Sequence, residues 1–333
     1  MKKRMIGNLE VSEIGMGCMG FSHGYGAVPE EAYSIEAIRK AYDFGCTFFD
    51  TAESYGTQLF YPGHNEQLLG KAAKPFRKNA VLATKLTLSK EEYDEGNLYE
   101  SVRKHLDASM ENLKTDYIDL YYLHRVNPEV PCEEIAEVMG KLIAEGLIKG
   151  WGMSQVSAAT LEKAHKITPV TAVQNIYSIM ERSCEEDIFP YCLENNIGVV
   201  PFSPIASGFL SGKVTTETKF EGDDVRKWVQ QTSPENIVAN QPILDVMEKF
   251  AARNNATYAQ LSLAWMVYKY PNAVPIPGSK NQERILENLG ACNVKLTDEE
   301  FTAFEAALAE CTLHGHRGHV EERPTPRTPR PNN

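Results

Sequence analysis

Long apolar segments are missing from this sequence, so it predicts no transmembrane helix. No apolar stretch follows the basic residues at 2–4 as it would in a secretory signal, and we expect a cytoplasmic protein without a membrane partner. The seven cysteines contain no CxxC pair, which argues against both a disulfide framework and a zinc site. Most of them are expected to be small buried hydrophobic side chains.

Positive charge is also scarce. Lysine and arginine total 34 against 45 acidic residues, the net charge is −11, and no basic stripe is present. This balance argues against nucleic acid as a partner, and any bound anion needs a local positive site. His314, His316 and His319 are flanked by glycine and arginine without a convincing fourth ligand, so we predict no metal site. Oligomeric state cannot be read from the sequence.

The chain does contain a regular alternation of helix-like and strand-like segments. Helices are expected at 31–44, 64–74, 97–113, 132–145, 157–166, 184–195, 240–253, 257–269 and 281–289. Strands are expected near 12–15, at 46–50, 80–85, 117–124, 147–152, 171–174, 197–202 and 273–277. Eight strands spaced by about one βα unit predict an α/β protein with a (β/α)8 TIM barrel fold. A hairpin at 4–11 should cover one barrel end, and a capping-box signature starts a last helix at 297–310.

The domain organisation follows from what separates these units. No Pro/Gly/Ser-rich boundary divides the chain, so we predict one barrel domain over 1–312, including the hairpin, and a mobile proline-rich tail over 313–333.

The alternative to the barrel fold is a doubly wound dehydrogenase, and the segment 15–20 (GMGCMG) matches the GxGxxG fingerprint of that class. A lone match is weak, and no helical pattern follows it, so we reject that reading.

Ionisable residues end three of the apolar strands. Asp50, Lys85 and His124 should converge, because the carboxyl ends of parallel barrel strands open on one face. Tyr55, on the loop after Asp50, could donate a proton if a nearby ammonium lowered the pKa of its phenol. Lys85 could supply that charge with Asp50 as its partner, while His124 could donate a hydrogen bond to a carbonyl oxygen. Singly, each residue could instead be a cap, a snorkelling lysine, a core imidazole or a surface aromatic.

These segments resemble a known family. The stretches 49–56 (FDTAESYG), 83–85 (ATK) and 119–124 (DLYYLH) are similar to the catalytic segments of the aldo-keto reductases, in the same order, and the resemblance covers about residues 4–310. It implies an NADP-dependent barrel oxidoreductase that reduces an aldehyde or ketone. The implied catalytic residues are Asp50, Tyr55, Lys85 and His124, with Tyr55 as the acid.

The cofactor site is expected at the other end of the chain. The segment 274–290 predicts the last strand, a tight turn and a helix start, where phosphate sites of barrels are common. It resembles the family segment that holds the adenosine 2′-phosphate, so we favour NADP(H) over NAD(H). The residues implied here are Gly278, Ser279, Lys280 and Arg284, with Glu287 and Asn288 near the adenine.

Other strand ends fit the nicotinamide and diphosphate. By the resemblance, Ser154 and Gln174 bind the carboxamide and Phe202 stacks on the ring. Many relatives have Asn at Gln155 and Tyr at Phe202, so we assign no carboxamide contact to Gln155. The remaining implied cofactor contacts are Gly17, Cys18, Met19, Asp50, Ser203, Pro204, Ile205, Ser207, Gly208 and Leu210.

Two matters stay open at this stage. A regulatory subunit that binds nicotinamide with little turnover, like the channel-docking barrels that resemble this family, is the alternative; the chain lacks their N-terminal extension. The small carbonyl substrate is not identified, because loops shape the pocket. We expect pocket walls from 19–25, 213–239, the segment after 310, and the aromatic pair Phe60 and Tyr61.

Overall fold

The computed structural model describes residues 1–318, and its first element is an antiparallel hairpin. Strand β1 (Lys3–Ile6) pairs with β2 (Leu9–Ser12) around a turn at Gly7, whose φ of 58° lies in the left-handed region. Ile6 and Val11 are fully buried and pack among side chains from the barrel interior. The hairpin therefore covers one end of the barrel, as predicted.

Parallel strands follow in chain order. They are β3 (Met16–Gly17), β4 (Phe48–Asp50), β5 (Val81–Leu86), β6 (Ile118–Leu123), β7 (Ile148–Ser154), β8 (Ala172–Gln174) and β9 (Gly198–Val199). Each strand is hydrogen-bonded to the next one along the chain. Their carboxyl ends consequently meet at one face.

The segment 273–277 joins the two edges of this sheet. Ala273 forms a parallel bridge with Val199 of β9, and the amide of Gly15 donates to the carbonyl of Pro275 at 2.9 Å. A further parallel bridge joins Gly17 of β3 to Gly278. These contacts close the sheet and confirm the predicted barrel.

Several strand boundaries differ from the prediction. The opening strand expected near 12–15 is displaced, because Ser12 ends the hairpin and the barrel strand β3 starts at Met16. The strand expected at 197–202 is only Gly198–Val199, and Pro201 lacks the amide hydrogen that would extend its ladder. Proline at two positions of 273–277 likewise leaves isolated bridges there.

Helices surround the barrel. They are α1 (Glu31–Asp43), α2 (His64–Ala73), α3 (Lys90–Asp94), α4 (Leu98–Leu113), α5 (Cys132–Ala144), α6 (Ala158–Ile167), α7 (Ile188–Glu194), α8 (Pro234–Ala239), α9 (Gln241–Arg253), α10 (Tyr258–Lys269), α11 (Gln282–Leu289) and α12 (Asp298–Ala309). All but α3 and α8 were expected, mostly to within one or two residues. Helix α7 starts late because Ser183–Glu185 forms a separate 3-10 turn. The capping box of α12 is present at Thr297 and Glu300.

The side chains of each strand alternate between two cores. On β6, Leu120 and Tyr122 face the barrel interior, whereas Tyr121 and Leu123 pack in the layer under the helices. Phe48 of β4 and Ala83 of β5 belong to the interior set. A residue two positions beyond any of these interior residues therefore also points inward, at the carboxyl end of its strand.

The segment beyond α12 returns to the barrel. His314 exchanges two backbone-to-side-chain hydrogen bonds of 2.9 Å with Asn240, and Arg317 reaches Ser203 on the loop after β9. The tail boundary at residue 313 stays a prediction, and 319–333, with His319, lies outside the described residues. All seven cysteines are free thiols. None of the helices in 1–318 is long and apolar enough to cross a membrane.

Candidate active site

The floor of the site is a buried ion pair between neighbouring strands. Asp50 and Lys85 lie two residues beyond the interior residues Phe48 and Ala83, so both point into the barrel. The Lys85 Nζ atom donates to Asp50 Oδ1 at 2.5 Å and to the Thr51 carbonyl at 2.6 Å, and the second Asp50 oxygen accepts from Gln174 Nε2 at 2.8 Å. Lys85 is fully buried. A buried pair is tolerated when further hydrogen bonds satisfy its atoms, as they do here.

Tyr55 stands above this pair on the loop after β4. Its hydroxyl lies 3.2 Å from Lys85 Nζ, which is also 4.8 Å from the centre of the ring. The backbone of the loop is fixed on both sides, because the Tyr55 amide donates to the Ala52 carbonyl and the Tyr55 carbonyl accepts from the amide of Asn65. The phenol is thereby held over the ammonium.

The pKa of Tyr55 does not move as the sequence suggested. Burial is the largest influence and raises this pKa, Lys85 opposes the rise, and Asp50 adds to it. The expectation that Lys85 brings the pKa of Tyr55 below that of free tyrosine is therefore wrong. The phenol remains protonated at neutral pH, which is the form that a proton donor needs. Lys85 limits how weak an acid it becomes.

His124 occupies the mouth of the barrel directly after β6. It lies two residues beyond the interior residue Tyr122 and points inward for the same reason as Asp50 and Lys85. Its ring meets that of Tyr55 edge-on, with centres 5.7 Å apart. Burial, followed by Lys85 and Arg125, holds the pKa of His124 well below its usual value. The imidazole is therefore neutral near pH 7 and retains one N–H donor.

A second charged group supports the Tyr55 loop from outside. His105 of α4 contacts the carboxylates of Glu53, at 2.7 Å, and of Glu92, at 2.9 Å. The hydrogen bond to Glu53 is the largest of several influences that raise the pKa of His105 to about 9. The other Glu53 oxygen accepts from the Thr87 amide at 2.7 Å. The loop that carries Tyr55 is therefore connected through Glu53 to His105 of α4 and to the end of β5.

One cavity of about 980 Å³ opens above these residues. It is lined by Asp50, Tyr55 and His124, whereas Lys85 lies beneath Tyr55. Cys18 and Leu210, which were also expected to contact the cofactor, are buried and do not line the cavity. The other residues implied as cofactor contacts line the cavity: Gly17, Met19, Ser154, Gln174, Phe202, Ser203, Pro204, Ile205, Ser207, Gly208, Gly278, Ser279, Lys280, Arg284, Glu287 and Asn288.

The far end of the cavity is the start of α11. Asn281 caps this helix by accepting from the Arg284 amide at 2.9 Å, so Arg284 lies in the first turn, where a negative charge is favourable. Lys280 behaves differently from the expectation, because its ammonium donates to the carbonyls of Tyr25, at 2.7 Å, and Ala27, at 2.5 Å. Lys280 thus joins the first βα loop to the turn before α11.

The wall between the two ends is the segment after β9. Ser203, Ala206 and Ser207 have φ values of 54°, 45° and 57°, a backbone conformation that L residues rarely adopt. Gly208 follows with φ of 96°. Such strain clusters where backbone groups must face a ligand. The segment, the α11 start and the cavity volume together fit an extended dinucleotide.

The stretch after Gly212 forms a strap that is hydrogen-bonded to the first βα loop. The Asp223 carboxylate accepts from the amides of Gly24 at 2.6 Å and Gly26 at 3.1 Å, and the Val225 amide donates to the Gly24 carbonyl at 3.0 Å. Val225 lines the cavity, so the strap forms part of its wall.

Two positions near the barrel mouth have roles that differ from simple ligand contacts. The Gln155 side-chain oxygen accepts from the Ile176 amide at 2.9 Å, and Gln155 itself has φ of 56°. The Ser154 hydroxyl accepts from Arg125 Nη1 at 3.0 Å. Ser154 can still donate its own hydrogen, while Gln155 holds the β8 loop.

The pocket walls expected from 19–25 and from the segment after 310 are present, through His23 and Arg317, whereas Arg125 was not expected. All three residues line the cavity, and the His23 ring centre is 5.3 Å from that of Tyr55. Arg125 could have been noticed because it follows His124 directly. Phe60 and Tyr61 were wrong as pocket walls: they do not line the cavity, are 47% exposed and pack against His64.

The rejected fingerprint at 15–20 runs into a short 3-10 turn, Met19–Phe21, and the next α-helix starts only at Glu31, whereas a dinucleotide-binding βα unit requires a helix directly after the fingerprint. Within 1–318 there is no group of three or more His, Cys, Asp or Glu residues placed to hold a metal ion, so His314 and His316 belong to no such group.

Comparison with known proteins gives a consistent result. The model of the Aldo/keto reductase family matches residues 13–309. Probable aldo-keto reductase 1 of Glycine max is 38% identical over 302 residues, which covers 89% of this chain and 86% of that protein.

Solved structures are also similar. A glycerol dehydrogenase from Gluconobacter oxydans superposes with a TM-score of 0.82 at 25% identity, covering 94% of this chain and 96% of that one. An aldo/keto reductase from Klebsiella pneumoniae, in complex with NADP and acetate, has a TM-score of 0.72 at 26% identity and coverage of 96% and 100%. Fold and relatives define a barrel protein of the oxidoreductase class. The chain belongs to the aldo/keto reductase family, as the resemblance predicted.

Proposed function

We propose that the protein reduces the carbonyl group of an aldehyde or ketone to an alcohol with NADPH. The observation that carries the proposal is the hydrogen-bonded series from Asp50 through Lys85 to the Tyr55 hydroxyl, which ends in the same cavity as the α11 start. A protonated phenol over a buried ammonium is suited to proton donation, and the cavity volume of about 980 Å³ leaves room for a dinucleotide.

Each residue then has a separate task. Tyr55 donates its proton to the carbonyl oxygen as that oxygen gains negative charge, so the O–H bond of the alcohol forms and the phenolate is left beside Lys85. The Lys85 ammonium stabilises this phenolate, and Asp50 keeps the ammonium charged and in place. The neutral His124 donates a hydrogen bond that orients the carbonyl. The bound reduced nicotinamide supplies the hydride that completes the new C–H bond.

The proposed cofactor residues follow from the lining of the cavity. Ser154, Gln174 and Phe202 lie at the catalytic end and would hold the nicotinamide, while Ser279 and Arg284 lie at the α11 start and would hold the 2′-phosphate. The Klebsiella relative in complex with NADP supports the choice of NADP(H). Glu287 and Asn288 stand further along the same helix for the adenine.

The direct experiment measures NADPH oxidation by the purified protein across aldehydes, ketones, quinones and pyridoxal, with NADPH binding measured separately by fluorescence. Turnover with at least one carbonyl compound, and faster use of NADPH than of NADH, is expected. Tight NADPH binding without turnover on any member of the panel would contradict the proposal and favour a regulatory nicotinamide-binding subunit.

A further inference from the structure

Two arginine side chains, those of Arg125 and Arg317, line the cavity near Tyr55. Arg125 follows His124, and its Nη1 donates to the His124 carbonyl at 2.5 Å and to Ser154 Oγ at 3.0 Å. Arg317 arrives from the segment after α12, and its Nε donates to Ser203 Oγ at 3.1 Å. Both side chains line the cavity with Tyr55.

Neither guanidinium is neutralised within residues 1–318. The side chains of Arg125 and Arg317 form no ion pair with a carboxylate there, and Glu181 contacts only the backbone amide of Arg317, at 3.5 Å. Two other cations of the cavity wall are paired, Arg226 with Asp224 at 2.6 Å and Lys213 with Glu287 at 3.2 Å, whereas Lys280 and Arg284 near the α11 start form no carboxylate pair within residues 1–318. Among the described residues, the two arginines near Tyr55 therefore form a positive site without a carboxylate partner.

Such an arrangement is unfavourable without a ligand. Burial lowers the pKa of Arg125 and of Arg317, and the charge of Arg317 lowers that of Arg125 further. Two like charges that are partly removed from water repel each other and lose solvation. An anion placed between them would reverse both effects, and arginine is well suited to bind carboxylates and phosphates through its planar donors.

The position of the pair separates it from the proposed phosphate contacts of the cofactor. Arg125 and Arg317 are anchored at Ser154 and Ser203, beside His124, whereas the α11 start with Arg284 forms another part of the cavity wall. His23 adds a donor near the acid, because its Nε2 is buried and has no hydrogen-bond partner in the described part of the chain. These groups surround the place where a substrate would meet Tyr55.

We propose that the preferred carbonyl substrate carries an anionic group, a carboxylate or a phosphate, which Arg125 and Arg317 bind while Tyr55 and His124 hold the carbonyl. This inference rests on the proposed reductase function, since it assigns the specificity of the same site. Arg317 lies outside residues 13–309 that match the family model, so its contribution belongs to this chain's own C-terminal segment.

The test compares a charged aldehyde with its neutral counterpart. For the wild-type protein, kcat/KM should be at least about 30-fold higher for 4-carboxybenzaldehyde than for methyl 4-formylbenzoate, the range expected of charge-assisted hydrogen bonds. Arg125→Met and Arg317→Met should each reduce this ratio about tenfold or more. Arg253→Met, on the outer helix α9, should leave the ratio unchanged. Glyceraldehyde 3-phosphate against glyceraldehyde distinguishes phosphate from carboxylate recognition.

A binding measurement separates the two proposals. Affinities of 4-(hydroxymethyl)benzoate and its methyl ester for the NADPH-loaded protein should differ in the wild type and converge in both arginine variants, whether or not the protein turns over. Absence of any reduction with this binding difference intact would contradict the reductase function alone. Equal kcat/KM for acid and ester in the wild type, or variants that weaken NADPH binding without changing the acid-to-ester ratio, would overturn the anion site.

Discussion

The Lys85 ammonium lies 3.2 Å from the Tyr55 hydroxyl and has no solvent exposure, whereas Tyr55 itself is half-buried and lines the cavity. Burial and the ammonium act on the phenol in opposite directions. The acidity of Tyr55 is therefore set by their difference, and changes to either should appear in the pH dependence of the reaction.

Lys85→Met tests this opposition. Without the ammonium the pKa of Tyr55 rises further, so we expect kcat to fall by about two to four orders of magnitude. The alkaline limb of kcat/KM, where Tyr55 loses its proton, should move to higher pH. Lys166→Met, which removes an exposed ion pair, is the matched control and should keep the wild-type profile. A reduced rate with an unmoved alkaline limb would assign Lys85 a purely structural role.

His105 should make stability depend on alkaline pH. Because the folded-state pKa of about 9 lies above the unfolded value of about 6.5, its contribution is fully present below pH 6.5 and is lost as pH rises through 9. The difference in unfolding free energy between wild type and His105→Gln, measured with urea, should therefore shrink between pH 6.5 and 10. His165→Gln provides the contrast, since burial lowers the pKa of His165 and its contribution has the opposite sign. A constant wild-type minus His105→Gln difference would disprove the ion-pair assignment.

Lys280 and Arg284, the two cations near the start of α11, should contribute differently to the binding of NADPH and NADH. Arg284→Ala should raise KM for NADPH about tenfold or more and leave KM for NADH nearly unchanged, because only NADPH carries the 2′-phosphate. Lys280→Ala should affect both cofactors, since Lys280 bonds loop carbonyls in this structure. Kinetics with both cofactors check this. Equal effects of Arg284→Ala on NADPH and NADH would remove Arg284 from the phosphate site.

The strap predicts slow cofactor release. Asp223→Ala removes two of the three bonds to the first βα loop, so the stretch after Gly212 should open more readily and NADPH should dissociate about tenfold faster, as expected for two lost charge-assisted bonds. Stopped-flow displacement of bound NADPH measures the rate. Glu217→Ala, an exposed change on the same stretch, serves as the control. Unchanged dissociation in Asp223→Ala would show that the strap does not gate release.

Much of the site could be anticipated from chain order and strand periodicity. Asp50, Lys85 and His124 each end an apolar run, and each stands two residues beyond a side chain in the barrel interior. Local sequence was sufficient because the direction of a strand side chain alternates with period two. Tyr55 lies on a loop and has no periodic signal, so its assignment depended on its place just after Asp50 and on the family resemblance.

The remaining features depend on tertiary approach. The segment after 310 was expected at the pocket wall, but that Arg317 is the side chain to reach Ser203 depends on how the chain folds back after α12. The bonds of Lys280 require the first βα loop to come within reach. The pKa of Tyr55 rises because burial outweighs an attraction that the sequence did predict, and the extent of burial is known only from the folded chain.

Tyr55→Phe is the most direct test of the central claim, that this hydroxyl protonates the substrate. The change keeps the ring and removes only the donor, so NADPH affinity measured by fluorescence titration should stay within about threefold of wild type while kcat for a good carbonyl substrate falls about a thousandfold or more. Reduction at an undiminished rate by the folded Tyr55→Phe protein would contradict the account.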